Sequence, residues 1–164
     1  MGRSYEESKI EYLNYITEHI GNVVRAFNEY GKELCEVLAV DYKLLKSLID
    51  LHDESKFEEE EFEAYRQYFY TADGEEKDQR VFDLAWEHHY RSNPHHPLYW
   101  KTTSGYADMT PGYIAEMLLD WQAMGYKFGD SAYEFYHSPK SEEERSCMTP
   151  KTKELVEEAI KLFK

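Results

Sequence analysis

Cysteine is scarce in this chain: Cys35 and Cys147 are the only two among 164 residues, too few for a disulfide framework and too isolated for a thiolate zinc cluster. Both read as reduced thiols, which points to a cytoplasmic protein. Positive charge is scarce as well, with 19 Lys and Arg against 33 Asp and Glu and a formal net charge of -14. Binding to a polyphosphate backbone relies on Lys and Arg to displace condensed counterions, so a long nucleic acid is excluded as a partner. A small phosphate ester is not excluded, because a bound dication is often the largest charge in its site and reverses the local electrostatics.

Long apolar runs are missing too. No stretch approaches the roughly 18–20 apolar residues that span a bilayer, and the chain starts polar and acidic where a signal peptide would be basic and then apolar. Glu6 stands where an acylation signal after Met1-Gly2 wants Ser or Thr, so no membrane association is expected. What is present is a globular composition, 41% hydrophobic and 16% aromatic despite a mean hydropathy of -0.79. At this length the simplest organisation is one domain, which buries roughly 68–70% of the surface its unfolded chain exposes.

Helical periodicity dominates. Ser4 and Glu7 form a capping-box pattern, after which Ile10, Leu13, Ile16, Ile20, Val23, Val24 and Phe27 recur at helical spacing up to Gly31. A second helical stretch carries Leu34, Val37, Leu38, Leu44, Leu45, Leu48 and Ile49, with a break near Asp41. The segment 58–70 puts Phe62, Tyr65 and Phe69 on one face, and its acidic run Glu58 to Glu61 reads as a solvated helix start suited to the helix dipole. Residues 71–76, with Asp73-Gly74, form a turn. Val81, Phe82, Ala85, Trp86 and His89 define a further helix that Asn93-Pro94 must end. Thr110-Pro111 and Thr149-Pro150 are both helix starts, the first leading through Ile114, Met117, Leu118, Trp121 and Met124 to Gly125, the second through Leu155, Val156, Ala159, Ile160 and Phe163. Nothing alternates with period two over a strand length and nothing repeats. The expected fold is all-α in a single domain over residues 1–164.

Against that background the histidines stand out. His19, His52, His88, His89, His95 and His96 fall where a metal site could use them, and only His137 looks incidental. At about 100° per residue, His19, His52 and His89 each project from the apolar face of a helix, and Asp120 lies at the edge of the apolar stripe beside Met117 and Trp121. A single such histidine reads as a hydrogen-bonded core residue. Three of them, with the His52-Asp53 pair and Asp120, point to one shared cation, since satisfying that many buried imidazoles otherwise needs many separate partners. Nitrogen and oxygen donors without thiolate suit manganese, iron, cobalt, nickel or zinc. Lys56, one turn beyond His52, reads either as a surface lysine beside the acidic run or as a compact charge that holds a phosphate oxygen near the metal. Tyr99, Trp100 and Trp121 could stack on a nucleobase, but aromatics at helical spacing read first as core.

The order His19, then His52-Asp53 with Lys56 three residues on, then His88-His89, then Asp120, in a helical chain, resembles the HD superfamily of metal-dependent phosphohydrolases over about residues 16–121. More narrowly, the stretches His52-Asp53-Glu54-Ser55-Lys56-Phe57, Ala85-Trp86-Glu87-His88-His89 and Asn93-Pro94-His95-His96-Pro97 look like a small family of uncharacterised bacterial and phage proteins. The HD resemblance implies a helical bundle in which His19, His52, Asp53 and Asp120 hold one metal and Asp53 bridges to a second. It leaves His88, His89, His95 and His96 as candidates for the second metal or for substrate, and gives Asp53 and Lys56 catalytic roles. The expected activity is metal-dependent hydrolysis of a nucleotide or another small phosphate ester with one or two ions. The superfamily also includes di-iron oxygenases with the same ligand order, for which His89 and His95 or His96 would be the middle ligands, and the same fold could serve a non-catalytic nucleotide-binding or regulatory protein. Two-metal phosphodiesterases of the superfamily carry Gly-Tyr-Pro where this chain has His95-His96, which weighs against a cyclic dinucleotide substrate.

Overall fold

The structure is a computed structural model that describes residues 2–164. The chain is all-α. Helix α1 (Tyr5–Leu38) begins at the predicted capping box, with the Ser4 hydroxyl accepting from Glu7 N at 3.2 Å and the Glu7 carboxylate accepting from Ser4 N at 2.8 Å. It does not stop at Gly31. A Cβ there would lie 2.7 Å from the Phe27 ring, so this glycine makes room for a side chain rather than ending the helix. The helix ends instead at Ala39, in the left-handed conformation, and the break expected near Asp41 is real: Asp41 caps α2 (Tyr42–Asp50) by accepting from Leu44 N at 2.9 Å.

Helices α3 (Glu59–Phe69) and α4 (Gln79–Ser92) follow, then a two-residue antiparallel hairpin, β1 (Lys101–Thr102) with β2 (Gly105–Tyr106). Helix α5 (Pro111–Phe128) lies against α1, with α2 packed on both. Three short helices close the chain, α6 (Ala132–Tyr136), α7 (Glu142–Ser146) and α8 (Pro150–Ala159). Ile114, Met117, Leu118 and Leu119 of α5 interdigitate with Val23, Phe27 and Leu34 of α1, Leu45 and Ile49 of α2, and Val156 and Ala159 of α8. Each such large side chain contributes about 1.5–3 kcal/mol by leaving water. A second cluster joins Tyr12 and Ile16 of α1 to Tyr65 of α3 and Ala85 of α4. His19 falls on α1 between Ile16 of the second cluster and Val23 of the first. Ile10 and Val24, expected on the apolar stripe, are exposed. No helix among the described residues is long and apolar enough to cross a membrane.

Helix α5 also runs past its predicted end, to Gly129 in the left-handed conformation (φ 82). Gly125 is needed for another reason: the returning chain brings the Asp130 carbonyl oxygen within 2.4 Å of where its Cβ would stand. That neighbour is backbone and cannot swing aside. Gly125→Ala should therefore destabilise the fold by about 1–3 kcal/mol, the usual cost of overpacking. In a chain of this size that lowers Tm by roughly 2–12 °C, which thermal unfolding followed by circular dichroism would check.

Candidate metal centre

His52 and Asp53 sit where α2 unwinds into the short 3-10 turn Glu54–Phe57. Asp53 adopts the left-handed conformation (φ 55, ψ 23), unusual for a residue with a Cβ and costing on the order of 1 kcal/mol. That turn directs its carboxylate into the protein, where the residue is only 2% exposed. Lys56 follows from the same turn with Nζ 2.8 Å from Asp53 Oδ2. His19 comes from mid-α1, His89 from the last turn of α4, His95 and His96 from the loop before the 3-10 turn Pro97–Trp100, and Asp120 from α5.

These side chains converge in two adjoining groups. In the first, His19 Nε2 and His52 Nε2 are 3.3 Å apart, each lies 3.5 Å from Asp53 Oδ2, and Asp120 Oδ1 stands 3.0 Å from His19 and 3.7 Å from His52. In the second, Asp53 Oδ1 lies 3.5 Å from His89 Nε2 and 3.4 Å from His95 Nε2, while His89 Nε2 and His96 Nε2 are 2.9 Å apart. The two oxygens of Asp53 thus face different groups.

The donor set fits divalent metal. A four-coordinate ion with bonds of about 2.0–2.2 Å holds its donors roughly 3.3–3.6 Å apart, close to most of these separations. Asp53 Oδ1 and His95 Nε2 are buried and have no hydrogen-bond partner, although they face each other. An unpaired buried polar atom is costly, and a cation between these two would satisfy both. His19, His52 and Asp120 form one compact set of potential ligands and Asp53, His89, His95 and His96 another.

Two buried carboxylates that the sequence reading missed stand behind the imidazoles. Glu116, one turn before Asp120 on α5, accepts from His52 Nδ1 at 2.9 Å and lies 3.3 Å from His95 Nδ1. Glu61 accepts from His89 Nδ1 at 2.9 Å and from His88 Nδ1 at 2.8 Å. Carboxylates on Nδ1–H leave the Nε2 lone pairs directed at the centre, the usual arrangement behind metal-binding histidines. Glu61 is therefore not part of a solvated helix start, since it is fully buried while Glu58, Glu59 and Glu60 are exposed. The available signal was that Glu116 and Asp120 are the only acidic residues of α5 and lie one turn apart. Glu61 gave less warning, sharing its spacing with Glu58.

His88 is not brought to the centre. Its neighbour His89 points inward, and consecutive helical residues project about 100° apart, so His88 faces outward, half-buried between Glu61 and Glu58. His137 is exposed and donates to the Tyr133 carbonyl.

The electrostatics favour positive charge. Burial opposes protonation of His19 and His52, yet Asp53 and Asp120, with Glu116 for His52, outweigh it and raise both pKa values. Burial alone would raise the pKa of Asp53 and Asp120, but the adjacent His52 and His19, with Lys56 beside Asp53, hold both well below the usual carboxylate range. His96 behaves oppositely: burial, then the proximity of His95 and His89, pushes its pKa well down and keeps the ring neutral. Among the described residues of the cluster the Lys56 ammonium pairs with Asp53, whereas Glu61 and Glu116 are partnered by imidazoles.

The centre forms the floor of a cleft of about 560 Å³ walled by Trp86, Trp121, Met124, Phe128 and Phe135, with Lys56 also on its lining. That volume suits a small organic ligand. Of the three aromatics considered for stacking, Trp121 lines the cleft, Trp100 packs on the main core with Nε1 donating to the Pro94 carbonyl at 2.8 Å, and Tyr99 is exposed.

Fold and centre together define an all-α protein with a buried imidazole and carboxylate cluster, able to hold a metal ion, beneath an open cleft. The chain belongs to a family described as "Family of unknown function (DUF5662)", whose model matches residues 8–162 and so takes in every side chain of the cluster. No curated protein and no solved structure matches it.

Proposed function

We propose that this chain is an HD-type, metal-dependent phosphohydrolase acting on a nucleotide or another small phosphate ester. The observation that carries the reading is Asp53, one oxygen toward each imidazole group and an ammonium 2.8 Å away, at the floor of an aromatic-walled cleft. When bound, one or two ions of manganese, iron, cobalt, nickel or zinc supply Lewis acidity, lowering the pKa of water from about 15.7 toward about 7 and offsetting phosphoryl charge. Lys56 orients Asp53 and presents N–H donors to a phosphoryl oxygen entering the cleft, while Trp86 and Trp121 exclude water from the reacting group. The net charge of -14 supports a small ester over a long nucleic acid, and two free, buried thiols support a cytoplasmic setting.

Nucleoside mono-, di- and triphosphates and simple phosphate esters, assayed with manganese, cobalt and iron, should include one that releases phosphate or a phosphomonoester in a metal-dependent way. Lys56→Met should lower that rate roughly 10²–10³-fold, as removal of one preorganised donor does, without changing metal content. Failure of every ester with every ion would sink the proposal.

A second reading has its own support. His19, His52 and Asp120 form a two-imidazole, one-carboxylate set suited to non-haem iron, beside further imidazoles for a second ion. Two irons per purified chain, with turnover that consumes oxygen, would favour an oxidative enzyme over a hydrolase.

A further inference from the structure

We infer that Glu116 is a positioning residue shared by the two halves of the metal centre, so that one carboxylate oxygen sets the affinity of both; this rests on the metal-binding reading above. Oε1 of Glu116 is the atom facing Nδ1 of both His52, at 2.9 Å, and His95, at 3.3 Å. The opposite nitrogens of these rings serve different halves. His52 Nε2 faces His19 and Asp120 Oδ1, whereas His95 Nε2 faces Asp53 Oδ1 and Asp120 Oδ2. The two rings lie 4.5 Å apart between centroids and tilted by 34°, so a shift of Glu116 displaces both.

Glu116 is 4% exposed, and its hydrogen-bonding and charge partners among the described residues are these imidazoles, with no lysine or arginine competing. Its negative charge therefore acts on the two rings, fixing the Nδ1–H tautomer and raising the basicity of Nε2. Glu61 provides the contrast within the same molecule. Of the central ligands it holds only His89, its other oxygen going to the outward-facing His88. One anchor spans the centre and the other supports half of it.

Titration of the metal-free full chain with Mn²⁺ and Co²⁺, by calorimetry and by the visible bands of cobalt, tests the asymmetry. The unaltered chain should bind two ions. Glu116→Gln should weaken both binding steps, each about 10–100-fold, and perturb the spectra of both cobalt ions. Glu61→Gln should weaken one step by a similar factor and leave the other within about 3-fold, because it touches one half only. A general loss of packing would lower Tm without dividing the two steps in this way. Should Glu116→Gln not fold, Glu116→Asp, which withdraws the carboxylate by one methylene, carries the same expectation. Two ions bound normally by a folded Glu116 variant, or weakening of a single step, would overturn the inference while leaving the metal centre intact. Failure of the unaltered chain to bind either ion would overturn the metal reading itself.

Discussion

Asp53→Asn is expected to weaken metal binding in both halves of the centre and to abolish metal-dependent turnover. Breaking a buried charge pair by removing one partner costs about 3–5 kcal/mol, which corresponds to roughly two to four powers of ten in affinity. Both halves are affected, one losing its donor atom and the other keeping only a neutral amide oxygen in place of a carboxylate, because Oδ2 belongs to the His19 and His52 group and Oδ1 to the His89 and His95 group. Asn is a fair isostere here, since it is among the few residues that tolerate the left-handed conformation Asp53 adopts, so the turn should persist. The amide that replaces one oxygen is a donor and cannot ligate a cation. Elemental analysis and equilibrium dialysis of the folded variant would check this, and two ions retained at normal affinity would count against a bridging Asp53. His19→Ala, by contrast, should damage chiefly the first half, because its Nε2 approaches only His52, Asp53 Oδ2 and Asp120.

Helical periodicity made His19, His89 and Asp120 legible as inward-facing, because each stands three or four residues from core positions on its helix, and the same spacing pointed His52 inward although it lies just past the end of α2. It could not separate the two members of His88-His89 except by phase, and phase places His88 outside. His95 and His96 lie in a loop, where no periodicity applies. Their orientation depends on tertiary contacts such as Asn93, whose amide donates to Ser55 Oγ and to the His89 carbonyl, both at 2.8 Å. Glu61 and Glu116 were hidden by the ordinary expectation that glutamate is solvated, which fails when imidazole N–H groups are waiting inside. In the fold, the helix starts at Ser4, Thr110 and Thr149 and the break near Asp41 were read from the sequence, whereas the capped starts at Asp78 and Ser131 were not. The ends expected at Gly31 and Gly125 were misplaced, because those glycines answer to close packing rather than to termination, while the end expected at Asn93-Pro94 is real. Helices α6 and α7, with five residues each, are too short to carry a period.

Removal of metal should cost the fold a large part of its thermal stability. An ion at about a thousand times its dissociation constant stabilises the native chain by about 4.1 kcal/mol per site, and at this chain length each kcal/mol moves Tm by roughly 2–4 °C. Chelation of a single ion should therefore lower Tm by roughly 8–16 °C, and readdition of Mn²⁺ or Zn²⁺ should restore it. The direction follows from the composition of the centre. With the ions withdrawn, the Asp53 and Asp120 carboxylates remain together beside His19 and His52 with the Lys56 ammonium on Asp53, and Asp53 Oδ1 and His95 Nε2 have no partner, each unsatisfied atom costing about 1–3 kcal/mol. The donors also come from α1, the end of α2, α4, the loop after it and α5, so an ion cross-links segments that are distant in the chain. Differential scanning calorimetry with chelator and with saturating metal measures the shift directly. Equal melting temperatures in the two conditions would mean that the imidazoles are held by the carboxylates alone, and His95→Ala distinguishes the cases: if a cation is the partner of its Nε2, the variant loses most of its metal-induced shift and only part of its metal-free stability.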